Sequence, residues 1–341
     1  MSHKPYRILI VGPSWIGDMV MAQSLFMALK TRHENCVIDV LALAWTQPLL
    51  DRMPEVNKAI PMPISHGVFG LNIRRTLGKH LQSSHYNQAI VLPNSWKSAL
   101  IPWFANIPVR TGWKGESRYG LLNDIRSLDK HALPMMIQRF VSLAYPAGQS
   151  HLPPNYLIPK MVASGATFTI PALKPRQKRL ILCPGAEFGP AKQWPAESYA
   201  EVSDAMLKQG WQILVLGSKA DQAVAGDIQN ALDHCHDDTF INLCGLTELD
   251  DAIDLLDSAD VVISNDSGLM HIAAALQKTL IAIYGPTSPD FTPPLSVNSH
   301  IIRIDVECGP CFQRICPEQH HKCMRDISSS VVLASIQASQ S

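Results

Sequence analysis

The sequence predicts an α/β protein made of two doubly wound, mostly parallel sheets, one in each half of the chain. Three observations predict it. Short apolar runs alternate with segments of helical apolar spacing from end to end. Most of these runs stop at a glycine or a small polar cluster, as strands do at the carboxyl edge of an open sheet. At 341 residues the chain is longer than one hydrophobic core usually organises.

In chain order, RILIVG (7–12) is a charge-free strand and IGDMVMAQSLFMALK after it has helical spacing, a β-loop-α start. Strands VIDVLAL (37–43), AIVLP (89–93) and VRTGW (109–113) follow, with helical patterns at SWKSALIPWFA and PMMIQRFVSLAY. From Lys160 to Lys178 the pattern lapses into Gly, Ser, Thr, Pro and Lys, which reads as a linker. A second series then begins: RLILCPG (179–185), WQILVLG (211–217), TFINLCG (239–245), DVVISND (260–266) and TLIAIYG (279–285). The division expected is residues 1–165 and 166–341, with ligands in a cleft between the two domains.

Composition excludes several classes. Hydrophobic residues at 46%, charged residues at 17% and 25 scattered prolines do not fit a disordered, collagenous or coiled-coil chain. A formal net charge of zero gives no global argument for nucleic acid. The zero conceals an asymmetry: residues 1–150 carry 16 Lys+Arg against 8 Asp+Glu, and residues 151–341 carry 13 against 21. An anionic partner is therefore expected on the first half, although opposite charge on two domains also helps them close. No apolar run is long enough to span a membrane and the start has no signal-peptide pattern, so a cytoplasmic location is expected.

Four loops carry candidate chemistry. GPSWIGD (12–18) has the glycine spacing of a phosphate loop, but Asp18 and Met19 replace its Lys and Ser/Thr, and the acid would repel a triphosphate. The loop is not G-x-G-x-x-G either, which disfavours a nicotinamide dinucleotide. Asp18 is a candidate general base at a helix N-terminus, where the helix dipole by itself also favours an acid. PGAEFGPAKQWP (184–195) offers Lys192 to a diphosphate and Glu187 to sugar hydroxyls, or simply a surface lysine before a helix. SNDSGLMHIAAAL (264–276) places Ser267 and Gly268 at the start of an apolar helix whose free N–H groups suit a phosphate, with His271 one turn on, or simply an Asp or Ser cap above a buried histidine. Asp266, beside such a phosphate, is expected to bond backbone N–H groups or a sugar hydroxyl. YGPTSPDFTPP (284–294) is a proline-stiffened loop able to wall a cleft.

The tail holds Cys308, Cys311, Cys316 and Cys323, candidates for a structural zinc although their spacing lacks two regular pairs; otherwise they are thiols. Cys36, Cys183, Cys235 and Cys244 lie in or beside apolar segments and are expected in the core.

Taken in order, GPSWIGDMVMAQSL, RMPEVNKAIPMP, VLPNSWKSAL, RTGWKGESRYGLLND, CPGAEFGPAKQWP, NDSGLMHIAAAL and YGPTSPDFTPPLS resemble the ADP-heptose lipopolysaccharide heptosyltransferases, over Gly12 to Ser296. The resemblance implies a GT-B fold of two Rossmann-like domains, the first binding acceptor and the second binding nucleotide sugar. It implies transfer of heptose from ADP-L-glycero-D-manno-heptose to the first inner-core heptose on Kdo2-lipid A, with inversion and no required cofactor. It makes Asp18 the proposed base and Lys192 the diphosphate lysine. Asp266, Ser267, Gly268 and His271 become the donor block, with Glu187 and Thr247 near donor sugar or adenosine. The acceptor carries carboxylates and phosphates, which makes Lys97, Arg110, Lys114 and Arg118 its candidate partners on the basic segment. Association with the cytoplasmic face of the inner membrane is implied too, with Trp96, Trp103 and Phe104 candidates for touching the bilayer unless they are core. The alternatives are a heptosyltransferase acting on the acceptor that carries no heptose yet, another GT-B nucleotide-sugar enzyme such as an epimerase, or a non-catalytic nucleotide-sugar binder.

Overall fold

The structure, a computed structural model, describes residues 4–64, 68–149, 154–165, 177–233 and 239–340. The chain divides into two compact units, 1–162 and 163–341. Val162 N–H still bonds Arg52 O at 3.2 Å in the first unit. Two residues on, the Ser164 N–H donates to Asp254 Oδ1 at 2.8 Å in the second. Most of the linker expected at 160–178 lies outside the described residues.

The first unit contains strands β1 (Tyr6–Val11), β2 (Cys36–Leu43), β3 (Val56–Met62), β4 (Gln88–Val91), β5 (Val109–Trp113) and β6 (Asp124–Arg126). Its helices are α1 (Ile16–Arg32), α2 (Gln47–Asp51), α3 (Leu71–Leu81), α4 (Leu100–Phe104) and α5 (Met136–Val141). The strands order β3-β2-β1-β4-β5-β6 and pair in parallel throughout. Leu9, Val11, Ala89 and Val91 form the middle of one core face, so these strands read as unbroken apolar runs in the sequence.

Three strands escape that reading. β3 and β6 are sheet edges, and the strand Ser299–Arg303 of the second unit is another. Exposed Asn57, Lys58 and Pro61 in β3, and the charged Asp124 and Arg126 at the two ends of the three-residue β6, break the apolar signal that burial on both faces imposes on central strands. The pattern SWKSALIPWFA becomes a 3-10 turn at Trp96–Ala99 and the short α4.

α1 is buried nearly all round rather than along one stripe. The segment before the unit boundary lies against it: Gln23 Nε2 donates to Lys160 O at 2.7 Å, Lys160 N–H donates to Gln23 Oε1 at 3.0 Å, and Ser24 Oγ donates to Leu157 O at 2.5 Å. Gln23 and Ser24 are fully buried on the helix, and this non-helical backbone supplies the partners that their polar side chains need.

The second unit repeats the plan with β7 (Arg179–Cys183), β8 (Gln212–Val215), β9 (Phe240–Asn242), β10 (Val261–Asn265), β11 (Thr279–Tyr284) and β12 (Ser299–Arg303). Its helices are α6 (Ala196–Lys208), α7 (Gln222–Asn230), α8 (Leu249–Asp257), α9 (Gly268–Ala275), α10 (Lys322–Arg325) and α11 (Ser329–Ala338). The order β12-β11-β10-β7-β8-β9 is again parallel and, counted from the first strand of the unit, identical to that of the first sheet. Both sheets therefore have the doubly wound Rossmann order. In each, the order reverses direction beside the first strand, between β1 and β4 and between β7 and β10. Crevices at the carboxyl ends of such strand pairs are where open α/β sheets bind ligands.

Cys36, Cys183 and Cys244 are buried, as expected; Cys235 lies outside the described residues. Among the described residues, no helix is long and apolar enough to cross a membrane.

Candidate functional site

In the second unit the two loops at the strand-order reversal meet. The loop after β7 carries Lys192, and the turn after β10 carries Asp266. Lys192 Nζ lies 2.6 Å from Asp266 Oδ2 and donates also to Asp266 O at 3.1 Å. Thr287 Oγ1, from the loop after β11, donates to the same Oδ2 at 2.6 Å. The Asp266 carboxylate has partners within the protein that the sequence did not indicate. Its carboxylate is held by an ammonium and a hydroxyl, because parallel register brings three carboxyl-edge loops side by side. Both charges are largely buried, with side-chain exposures of 11% for Lys192 and 6% for Asp266.

The Lys192 loop is fastened from three sides. Asn265, fully buried at the end of β10, donates from Nδ2 to Pro184 O at 2.7 Å. Its Oδ1 accepts from Tyr199 Oη at 3.0 Å and from Trp194 N–H at 3.3 Å. Trp194 donates from Nε1 to Ile327 O at 2.9 Å and packs edge-on to Tyr199 at 4.7 Å. Phe188 receives Lys192 Nζ at 5.0 Å and the Arg314 guanidinium at 5.4 Å from its ring centre. At Gly185 a Cβ would sit 2.7 Å from the Asp221 carboxylate, so only glycine lets that acid cap the Ser218 turn here.

Ser267 immediately precedes α9, and its extended backbone leaves its hydroxyl without a bond to the helix and within 3.2 Å of Ser264 Oγ. The first N–H groups of α9 thus have no side-chain cap and carry the positive end of the helix dipole. Gly268 stands first in this turn. His271 is buried beneath it, and burial lowers its pKa to about 4, with the Asp266 carboxylate pulling up and the Lys192 ammonium pushing down. The imidazole is therefore neutral at pH 7 and can donate one hydrogen bond and accept another. A helix N-terminus, a buried lysine and a neutral histidine suit an anionic group that gathers charge, such as a departing diphosphate. Glu187 is exposed in its loop, and Thr247 is half-buried in the turn before α8.

Sequence reasoning missed Asn265 and Thr287 as site residues. Asn265 left a signal, an amide ending the apolar run VVIS; Thr287 lay inside a quoted loop with nothing to single it out.

In the first unit Asp18 is the third residue of α1, half-buried at the carboxyl edge of β1 beside the strand-order reversal. The four basic candidates separate. Arg118 is 2% exposed and gives its guanidinium to Pro93 O at 2.6 Å, Asn94 Oδ1 at 3.3 Å and Trp113 O. Arg110 donates to Leu121 O and Ile107 O, both at 2.6 Å. These two arginines tie loops together. Lys114 is exposed and Lys97 half-buried on the 3-10 turn after β4.

The tail cysteines Cys308, Cys311, Cys316 and Cys323 line one small enclosed cavity with His320 and His321, and Cys308 Sγ is 3.7 Å from His320 Nε2. Among the described residues, no three His, Cys, Asp or Glu side chains are arranged to hold a metal ion.

Residues 74–322 match the family model glycosyltransferase family 9 (heptosyltransferase). The chain belongs to glycosyltransferase family 9. Within the family it is 46% identical over 340 residues to lipopolysaccharide heptosyltransferase 2 of Escherichia coli K12, covering 97% of this chain and 98% of that one. It is 48% identical over 322 residues to lipooligosaccharide heptosyltransferase 2 of Haemophilus influenzae, covering 87% and 88%. The solved structure of E. coli ADP-heptose lps heptosyltransferase II superposes with a TM-score of 0.86 at 44% identity, covering 98% of both chains. The family's GT-B fold of two Rossmann-like parallel sheets is the fold of this chain.

Proposed function

We propose that this family 9 enzyme transfers L-glycero-D-manno-heptose from ADP-heptose to the first heptose of the lipopolysaccharide inner core, inverting the anomeric carbon. The observation that carries the reading is near-full-length identity to heptosyltransferase 2 of E. coli. The geometry of the second unit supports it.

In this reading the ADP diphosphate meets the N-terminus of α9. Ser267 and Gly268 let it approach, Lys192 adds positive charge, and neutral His271 donates a hydrogen bond. Asp266 holds the lysine in place, while Glu187 and Thr247 face sugar or adenosine. Asp18 of the first unit takes the proton from the acceptor hydroxyl as its oxygen attacks the anomeric carbon and the bond to ADP breaks. Such a displacement builds positive charge on the sugar and negative charge on the diphosphate, which fixed dipoles and Lys192 stabilise without reorganising. No resident cofactor enters these steps. Lys97 and Lys114 meet the acceptor's anionic groups, with Arg110 and Arg118 shaping the loops that present them. The acceptor's lipid places the enzyme at the cytoplasmic face of the inner membrane.

ADP release from ADP-heptose, with and without heptosylated Kdo2-lipid A, tests the reading in wild type and Asp18→Asn. Acceptor-dependent release that falls at least 100-fold in a variant that still binds ADP is expected. Equal rates in the two proteins overturn Asp18 as base. No release from folded wild type with heptosylated or unheptosylated acceptor overturns the transfer reading.

A further inference from the structure

We infer that the outer face of α3, with the loop before it and the adjoining Trp96–Phe104 segment, docks this protein on an anionic lipid bilayer. The inference rests on the proposed lipid-linked acceptor for its purpose, but its support comes from the first unit alone.

The sixty residues 56–115 contain no Asp or Glu and seven Lys or Arg. Large apolar side chains on this stretch face solvent: Val68 at 51%, Phe69 at 41%, Leu71 at 43%, Ile73 at 44%, Trp96 at 41% and Trp103 at 44% exposure. Single exposed apolar residues are ordinary, but here two pairs meet. The Phe69 and Trp96 rings lie 5.1 Å apart. Leu71 and Trp103 line one open groove together with the exposed bases Arg75 and Lys79.

The face is held rigid from below. Arg74, 5% exposed, donates from Nε to Phe69 O at 2.6 Å, from Nη2 to Val68 O at 3.4 Å and from Nη1 to Lys97 O at 3.2 Å. One buried guanidinium therefore rivets the loop before α3 to the turn after β4, leaving the side chains of both outward. At Gly78 a Cβ would lie 2.5 Å from Phe104 Cβ, so α3 and α4 pack backbone to backbone. The nearest acid in sequence, Glu116, accepts the Trp96 N–H at 3.0 Å.

Tryptophan and phenylalanine flanked by bases, with the one acid at the patch, Glu116, bonded to the Trp96 N–H, match the interface of an anionic bilayer, where rings sit at headgroup depth and lysine stems reach phosphates. A protein partner of the usual kind would leave a mixed-charge rim. The position also serves the proposed chemistry. The turn at Trp96 follows β4, and Phe69 packs on Trp96, so this end of the face lies at the carboxyl edge of the sheet that carries Asp18. A bilayer held there keeps a lipid-linked hydroxyl at the edge where the base stands.

Co-sedimentation of the full chain with acceptor-free vesicles tests this, using phosphatidylcholine alone or with 30% phosphatidylglycerol. Wild type should partition onto the anionic vesicles and be released by high salt. Leu71→Ser/Ile73→Ser and Arg75→Gln/Lys79→Gln should each weaken partition at least tenfold, each lost charge accounting for about fivefold. Lys208→Gln in the second unit should leave it unchanged. ADP release with detergent-dispersed acceptor should survive in both double variants, so loss of docking and loss of transfer are read separately. Failure of wild type to bind anionic vesicles overturns the inference, as does equal binding by the variants. A shift from dimer to monomer in the variants by light scattering overturns it too, since the face would then be a self-interface.

Discussion

Lys192→Met keeps the length and burial of the side chain and removes its charge. Asp266 Oδ2 then retains the Thr287 hydroxyl but loses an ammonium 2.6 Å away, at a carboxylate only 6% exposed. At that distance and an effective dielectric of about 20 the attraction is roughly 6 kcal/mol, and desolvation of both groups offsets part of it. Leaving one member of such a pair buried alone costs roughly 3–5 kcal/mol. For a unit of this size, that lowers the midpoint of the thermal transition by roughly 6–20 °C. Scanning calorimetry on Lys192→Met, Asp266→Asn and the double variant closes the cycle. The double variant should regain most of the lost stability, because asparagine can be buried without a counter-charge. It should not regain ADP release, because Lys192 is gone. A single variant within 2 °C of wild type, or a double variant as unstable as Lys192→Met, would refute the claim that Asp266 depends on Lys192.

Further outcomes follow from the same structure. Burial holds the His271 pKa at about 4 against an ordinary 6.5, so the folded state resists protonation and stability is full above pH 6.5 and lost as pH falls toward 4. Urea unfolding should show roughly 2–3 kcal/mol less stability from this group at pH 4.5 than at pH 7.5, a component that His271→Gln removes. Arg118→Met should destabilise the first unit by about 3 kcal/mol, since Pro93 O and Trp113 O lose a buried donor. Exposed Lys114→Gln should leave the thermal midpoint unchanged and raise the KM for acceptor a few-fold. With Ellman's reagent on native protein, the exposed Cys308 should react first. Cys183 and Cys244 should react only on unfolding, because burial raises both thiol pKa values, that of Cys244 to about 12.

The central strands were legible because burial on both faces forces an uninterrupted apolar run, as in Arg179–Cys183 and Thr279–Tyr284. Edge strands β3, β6 and β12 were not, because an edge admits lysine, proline and polar residues that erase the pattern. The loops bearing Asp18, Lys192 and Ser267 were legible for a local reason: each interrupts a strand-to-helix step with residue types that serve no strand or helix. No local signal could show that Lys192 clamps Asp266, 74 positions away, or that Thr287 shares the same oxygen. That contact exists because β7 and β10 are neighbours at the reversal of strand order, and pairing order is a property of the sheet rather than of either strand. The same reason explains the arginines. Charge counted along the chain marked Lys97, Arg110, Lys114 and Arg118 alike, while only the folded backbone decided which of them meets carbonyl oxygens and which meets water. Sequence by itself determined the class of fold, the order of the loops and the residue types they carry. Tertiary structure decided their partners, since hydrogen bonds and burial depend on distance in space, and a parallel sheet brings distant segments edge to edge.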